Sequence, residues 1–163
     1  MRIRVGLGFD VHPFATDGEL VLGGVRLEGP ALAGHSDGDA VAHAVADAVL
    51  SAAGLPDLGT LFPASDEQWR GADSIALLHD VAERVRGERW WVVNVDVVIA
   101  AERPHLAEHV RAMAANVAEA LVPAKEPLGG GVAVSVKPKR GEGLGAIGRA
   151  EGIAVWAVAL LGS

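Results

Sequence analysis

The sequence predicts an α+β fold: a mostly four-stranded mixed sheet with helices packed on one face, plus a small N-terminal hairpin. Three observations predict it. Segments of strand character roughly alternate with segments of helical character, which packs helices on one sheet. Half of the residues are apolar but only 4% are aromatic, with Ala, Val and Gly dominant, which favours tight helix-on-sheet packing. A length of 163 residues fits a single domain over residues 1–163.

Taken in order, Arg2 to Leu7 alternates basic and apolar residues and predicts a strand. Leu20 to Leu27 predicts a short hairpin that turns at Gly23-Gly24. Ser36 or Asp37 is placed to cap a helix running to about Ala53, with Gly54 and Pro56 marking its end. Gly54 to Gly71 lacks periodicity and is expected to be a functional loop. Asp73-Ser74 starts a second helix to about Arg86. Trp90 to Ala100, rich in β-branched residues, predicts a strand. Pro104 opens a third helix, Leu106 to Leu121. Pro123 to Gly131 is a linker, Val132 to Val136 a strand, and Lys137 to Gly148 a basic, glycine-rich loop. Glu151 to Leu161 is almost wholly apolar. Its Val and Ile content favours a strand that completes the sheet.

Composition excludes several functions. The chain has no cysteine, so disulfides, thiolate metal sites and a Cys nucleophile are ruled out. Any metal must use imidazole and carboxylate ligands. A net charge of −7 without a basic stripe disfavours nucleic acid. No signal peptide and no apolar run of ~18 residues appears, so neither secretion nor a membrane span is expected. The expected location is cytoplasmic.

Two clusters carry the chemistry. Asp10-Val11-His12 follows the first apolar segment, and Gly34-His35-Ser36-Asp37-Gly38-Asp39 leads to His43. If the first strand continues that far, Asp10 and His12 point to the same side. On a helix, Asp39, His43 and Asp47 stack on one face. Asp10, His12 and His43 have the types and spacing to hold one Zn²⁺ with a fourth position open, as in a catalytic site. The plainer alternative is ordinary loop and helix histidines. The second cluster is Lys137, Lys139, Arg140, Glu142 and Arg149, set among four glycines. Glycines let backbone N–H groups approach an anion, and the bases add charge, so a diphosphate suits this loop. Glu142 among these bases can hold a second hard cation such as Mg²⁺ across phosphate oxygens. The alternative is a solvated hairpin loop. Asp57, in the loop after the first helix, is either a sugar-hydroxyl acceptor or a turn aspartate. His79, His105 and His109 have no ligand partners, and His79 and His109 are expected on helix surfaces.

Gly8-Phe9-Asp10-Val11-His12-Pro13-Phe14, Gly34 to Asp39 with His43, Asp57-Leu58-Gly59 with Phe62-Pro63, and Gly145 to Gly152 together resemble the 2-C-methyl-D-erythritol 2,4-cyclodiphosphate synthase family. The likeness runs from about Arg2 to Leu161. It implies a homotrimer with active sites between subunits, acting in the non-mevalonate isoprenoid pathway. The implied substrate is 4-diphosphocytidyl-2-C-methyl-D-erythritol 2-phosphate, whose 2-phosphate attacks the β-phosphorus and expels CMP. The nucleophile then belongs to the substrate, and the protein positions it and neutralises charge.

The resemblance implies Zn²⁺ on Asp10, His12 and His43, and Mg²⁺ or Mn²⁺ on Glu142. His35 and Ser36 would contact the reacting groups, with His35 steadying the transition state. Asp57, Gly59, Phe62 and Asp66 would line the substrate pocket. Ala101 to Ala107, including His105 and Leu106, would form the cytosine pocket of the adjacent subunit, and Arg149 would lie near the trimer axis. Lys139 and Arg140 stand where the family has threonines, so the expected transition-state hydroxyl becomes the Arg140 guanidinium, a stronger phosphate binder. Ala64 replaces an aspartate, His105 a lysine, and Ala146 a larger apolar residue of the central cavity. Two other readings stay open: a zinc-dependent phosphohydrolase, and a non-catalytic trimeric module that binds a nucleotide or isoprenoid.

Overall fold

In the computed structural model, which describes residues 2–122 and 131–163, the chain opens with the long strand β1 (Ile3–Pro13). The short strands β2 (Leu20–Leu22) and β3 (Val25–Leu27) follow, then α1 (Ala40–Ala53), the single turn α2 (Leu58–Leu61) and α3 (Ser74–Gly87). Strand β4 (Trp91–Ala100), helix α4 (Val110–Leu121), strand β5 (Ala133–Lys139), the turn α5 (Gly145–Gly148) and strand β6 (Gly152–Gly162) complete the order. The main sheet runs β1-β6-β4-β5. Its first two pairings are antiparallel and β4–β5 is parallel. The parallel step is the one connected through a helix, α4, as such a crossover requires.

Helix α1 is the centre of the molecule. It is apolar nearly all round, and 11 of its 14 residues are buried, as expected for a helix covered on every side. It lies directly on β1 because Gly6 and Gly8 present no side chain to it. A Cβ on Gly8 would stand 1.9 Å from the Ala44 carbonyl oxygen, and one on Gly6 2.1 Å from that of Ala48. Beyond these glycines the same face of β1 carries Asp10 and His12, which fill the space opposite His43.

Among the described residues, no helix lies on the opposite face of the sheet. Ile3, Val5, Leu7 and Val11 are more than half exposed there, joined by Phe9, Trp156 and Val158. Towards β5 the face turns polar, where Lys137 pairs with Asp96. Among the described residues, no helix is long and apolar enough to cross a membrane.

Several boundaries differ from the sequence-based expectation. Strand β1 extends to Pro13 and not Leu7, because β6 pairs with it along the whole length, to Gly152 opposite Pro13. The cap of α1 is Asp39, not Ser36 or Asp37. Its buried carboxylate accepts from Val41 N and Ala42 N and from the turn amides Gly23 N and Gly24 N. Burial still pushes its pKa up. Asp39 therefore does not share the His43 face. Gly54 to Gly71 is not wholly a loop: it contains α2 and a 3-10 turn, Glu67–Trp69. Helix α4 starts at Val110 and not Leu106. Strand β5 runs through Pro138 to Lys139, so the basic loop begins as a strand. The expected linker 123–131 lies, apart from Gly131, outside the described residues.

Candidate metal centre and substrate cavity

Two elements bring Asp10, His12 and His43 together. Asp10 and His12 are two apart on β1, and His43 is one turn into α1. Asp10 Oδ2 lies 2.8 Å from His12 Nε2 and 3.1 Å from His43 Nδ1. The two ring nitrogens are 3.4 Å apart. An ion held tetrahedrally about 2 Å from such donors has edges of about 3.3 Å, so the triangle has the right size. Among the described residues this is the set of three that could hold a metal.

The surrounding hydrogen bonds decide which atoms face the centre. Val11 N–H donates to Asp10 Oδ1 at 3.0 Å, leaving Oδ2 for the site. His12 Nδ1–H donates to the Ala33 carbonyl, so its Nε2 lone pair points inward. Such outer partners are what orient metal-binding histidines. In the metal-free protein the same proximity appears as pKa shifts. Burial works to raise the Asp10 carboxyl, but His12 and His43 outweigh it and hold it at about 2. His12 is raised by its hydrogen bond to Asp10, against burial.

The triad forms one wall of a cavity of about 280 Å³ that also meets His35, Ser36, Gly59 and Phe62. Phe62 is fixed edge-on against Trp69, with ring centroids 5.0 Å apart. His35 Nε2 is 3.3 Å from the Asp66 carbonyl. The Asp66 side chain caps the 3-10 turn through Gln68 N, 3.1 Å away. Asp57 is exposed and caps α2 through Thr60 N at 2.8 Å; the Thr60 hydroxyl first, and then this N–H, lower its pKa. Asp47, one helical turn beyond His43, accepts Leu58 N–H at 2.8 Å and so ties α2 to the rim. A larger cavity, about 440 Å³, lies between the hairpin and Gly34–Asp37, but its acids Asp17, Glu19 and Asp73 would repel phosphate.

The basic cluster is not at this cavity. Ala100 and Lys139 lie in one row across the sheet with Ala154 and Val11. Lys139 is therefore at the metal end of the sheet but on the far edge, about 14 Å or three strand spacings away. Its carbonyl accepts Ala101 N–H at 2.9 Å. Arg140 is bound by Glu102, with Nε 3.1 Å from Oε1. Glu142 is an exposed turn residue with φ of 53°. Arg149 is exposed and pairs with Glu151 at 2.6 Å. Leu106 is buried while His105 is exposed. His79 is exposed, and His109 is the half-buried N-cap residue of α4 without a side-chain cap bond.

Sequence reasoning missed Ser74 behind His43 and did not foresee that Ser36, expected at the reacting groups, also meets this ring. Ser74 Oγ is 2.9 Å from His43 Nε2 and donates to Asp37. Ser36 Oγ is 3.0 Å from the same nitrogen. The only sequence signal for Ser74 is its place after a helix cap, which conceals this contact.

Comparison with known proteins bears on the same residues. The profile of the YgbB family matches residues 3–162. A protein of Rubrobacter xylanophilus named 2-C-methyl-D-erythritol 2,4-cyclodiphosphate synthase is 53% identical, over 97% of this chain and 94% of its own. A protein of Anaeromyxobacter dehalogenans named bifunctional enzyme IspD/IspF is 47% identical over 98% of this chain, which spans only 40% of that relative. The structure of a Plasmodium falciparum IspF in complex with CDP superposes with a TM-score of 0.79 at 31% identity, over 98% of this chain and 95% of that one.

Proposed function

The chain belongs to the YgbB family, and on that footing we propose that it is the enzyme that cyclises 4-diphosphocytidyl-2-C-methyl-D-erythritol 2-phosphate. The product is 2-C-methyl-D-erythritol 2,4-cyclodiphosphate, formed with release of CMP in non-mevalonate isoprenoid synthesis, which makes the enzyme a phosphorus–oxygen lyase. The observation that carries this reading is the convergence of Asp10 Oδ2, His12 Nε2 and His43 Nδ1 at the wall of a cavity sized for a sugar phosphate.

An oxygen of the substrate's 2-phosphate attacks the β-phosphorus. The new P–O bond forms as the bond to the bridging oxygen breaks, and CMP leaves with that electron pair. No protein nucleophile is required, so the residues position and neutralise. Asp10, His12 and His43 would hold Zn²⁺, and Glu142 with the diphosphate would hold Mg²⁺ or Mn²⁺. A single carboxylate plus phosphate oxygens is an ordinary Mg²⁺ environment. Bound there, the ions supply Lewis-acid neutralisation of the phosphate oxygens. His35 and Ser36 contact the reacting phosphates, and Asp57, Gly59, Phe62 and Asp66 shape the sugar pocket. Arg140, with Lys139, meets the transferring group from the other side, and Ala101, His105 and Leu106 take the cytosine.

Those two half-sites lie on opposite sheet edges. A homotrimer that stacks its uncovered sheet faces would bring the basic edge of one copy to the metal wall of the next, with Arg149 near the axis. The test is turnover of the cytidine diphosphate substrate with Zn²⁺ and Mg²⁺, following CMP and the phosphorus spectrum. A cyclic diphosphate with equimolar CMP is expected. Linear phosphate without a ring would identify a phosphohydrolase, and no turnover by metal-loaded protein would leave only a binding module.

A further inference from the structure

We propose that Glu102 is a positioning residue that turns Arg140 so that the end of its guanidinium faces a nucleoside diphosphate. The inference rests on the reading above in which the basic loop forms the phosphate side of the site. Strands β4 and β5 are parallel and end level, with Ala100 opposite Lys139. The ladder continues one step further, from Ala101 N–H to the Lys139 carbonyl at 2.9 Å. The chain therefore leaves the two strands side by side, with Glu102 beyond one and Arg140 beyond the other. The Glu102 side chain is 17% exposed and that of Arg140 55%. The carboxylate is thus the seated partner, and the guanidinium is the one that faces outward.

The two carboxylate oxygens hold different parts of the loop. Oε1 accepts from Arg140 Nε at 3.1 Å and from Nη2. Oε2 accepts Gly141 N–H at 3.1 Å. A guanidinium offers five N–H donors in a fixed fork. Glu102 takes its side edge, Nε with one N–H of Nη2. That leaves the end formed by Nη1 and the other N–H of Nη2, a pair spaced for two phosphate oxygens. An unheld arginine on an exposed loop samples many rotamers, and ordering it beforehand removes that cost from binding. The Arg140 guanidinium in turn keeps the Glu102 carboxyl below its ordinary range, and so ionised. Gly141 is itself seated. Its carbonyl accepts Leu144 N–H at 2.8 Å, and a Cβ on it would stand 2.5 Å from Gly148 N. Arg140 is therefore fixed through its side chain and through the amide that follows it, and Glu102 acts on a ligand only through Arg140.

Calorimetric titration of the full chain with CDP in Mg²⁺ buffer tests this role by the sign of the effect. A carboxylate beside a phosphate site repels the ligand, so removing its charge would by itself tighten CDP. Glu102→Gln is expected instead to weaken CDP about 10-fold, the scale of one charge-assisted hydrogen bond. In an Arg140→Ala background the same substitution should no longer weaken CDP, because the group it positions is gone. Unchanged or tighter CDP binding by Glu102→Gln would overturn the proposal, and so would an equal loss in the Arg140→Ala background. Proton NMR of the unaltered protein needs no variant: the Arg140 Nε–H should exchange slowly with water, and fast exchange would overturn the proposal. If CDP weakens as stated but the unaltered protein makes no cyclic diphosphate, the cyclising reading fails and the positioning role stands. Unaltered protein that binds no CDP would overturn both.

Discussion

At the scale of single residues, Asp10 is the most strongly biased group of the centre. Its carboxyl is held at about 2 against an ordinary 3.8, while His12 is raised above 6.5. The two shifts describe one interaction, so they are counted once. A depressed acid contributes stability that is present above its unfolded pKa and lost as pH falls through the folded one. In the metal-free protein this contribution, about 2 kcal/mol, should disappear between pH 3.8 and about 2. The raised His12 works in the other direction, stabilising below 6.5 and losing its contribution as pH rises through its folded value. Denaturant melts from acid to mildly alkaline pH should therefore show stability falling on both sides. Asp10→Asn should flatten both limbs, and unchanged limbs in that variant would sink the assignment. Metal loading should improve as His12 loses its proton, because the ligand nitrogen must be bare.

At the scale of elements, the centre depends on how closely α1 lies on β1. Gly8→Ala would set a methyl against the Ala44 carbonyl and 2.6 Å from Ala48 N. Backbone cannot yield as a flexible side chain does, so the helix must lift and carry His43 away from Asp10. A loss of about 3 kcal/mol, the upper part of the usual overpacking range, is expected together with weaker metal binding. A melting temperature within a degree or two of the unaltered protein would refute the close-approach argument. The same contact explains what the sequence disclosed. Asp10, His12 and His43 were legible because strand and helix periodicities each impose one face. Asp37 and Ser74 were not, since they meet across 37 positions and each resembles a helix cap when seen alone. The strand expected to end at Val136 continues through Pro138 to Lys139, although proline cannot donate to a ladder. As an edge strand β5 pairs with β4 alone, and its unpaired side tolerates the missing N–H. Pro104 gave a false start to α4, where the chain first makes a separate turn between Leu106 and His109.

At the scale of the whole molecule, an apolar sheet face and a divided site make one argument. Ile3, Val5 and Leu7 are each at least 60% exposed, an expanse of the kind monomers seldom leave to water. The triad and the basic loop sit about 14 Å apart across the same sheet, too far for one diphosphate to touch both. If neighbouring copies complete each other's sites around a three-fold axis, His43→Ala and Glu142→Gln damage opposite sides of every interface. Each variant alone should be nearly inactive. Co-expressed in equal amounts and mixing at random, three-quarters of the trimers contain both chains, and each of these has one interface with an intact triad facing an intact Glu142. The mixture should therefore recover roughly one quarter of the unaltered specific activity, although neither chain is functional. Recovery near zero from verified mixed trimers would place both half-sites within one protomer. Light scattering that gives the mass of a single chain at micromolar concentration would remove the three-fold arrangement itself.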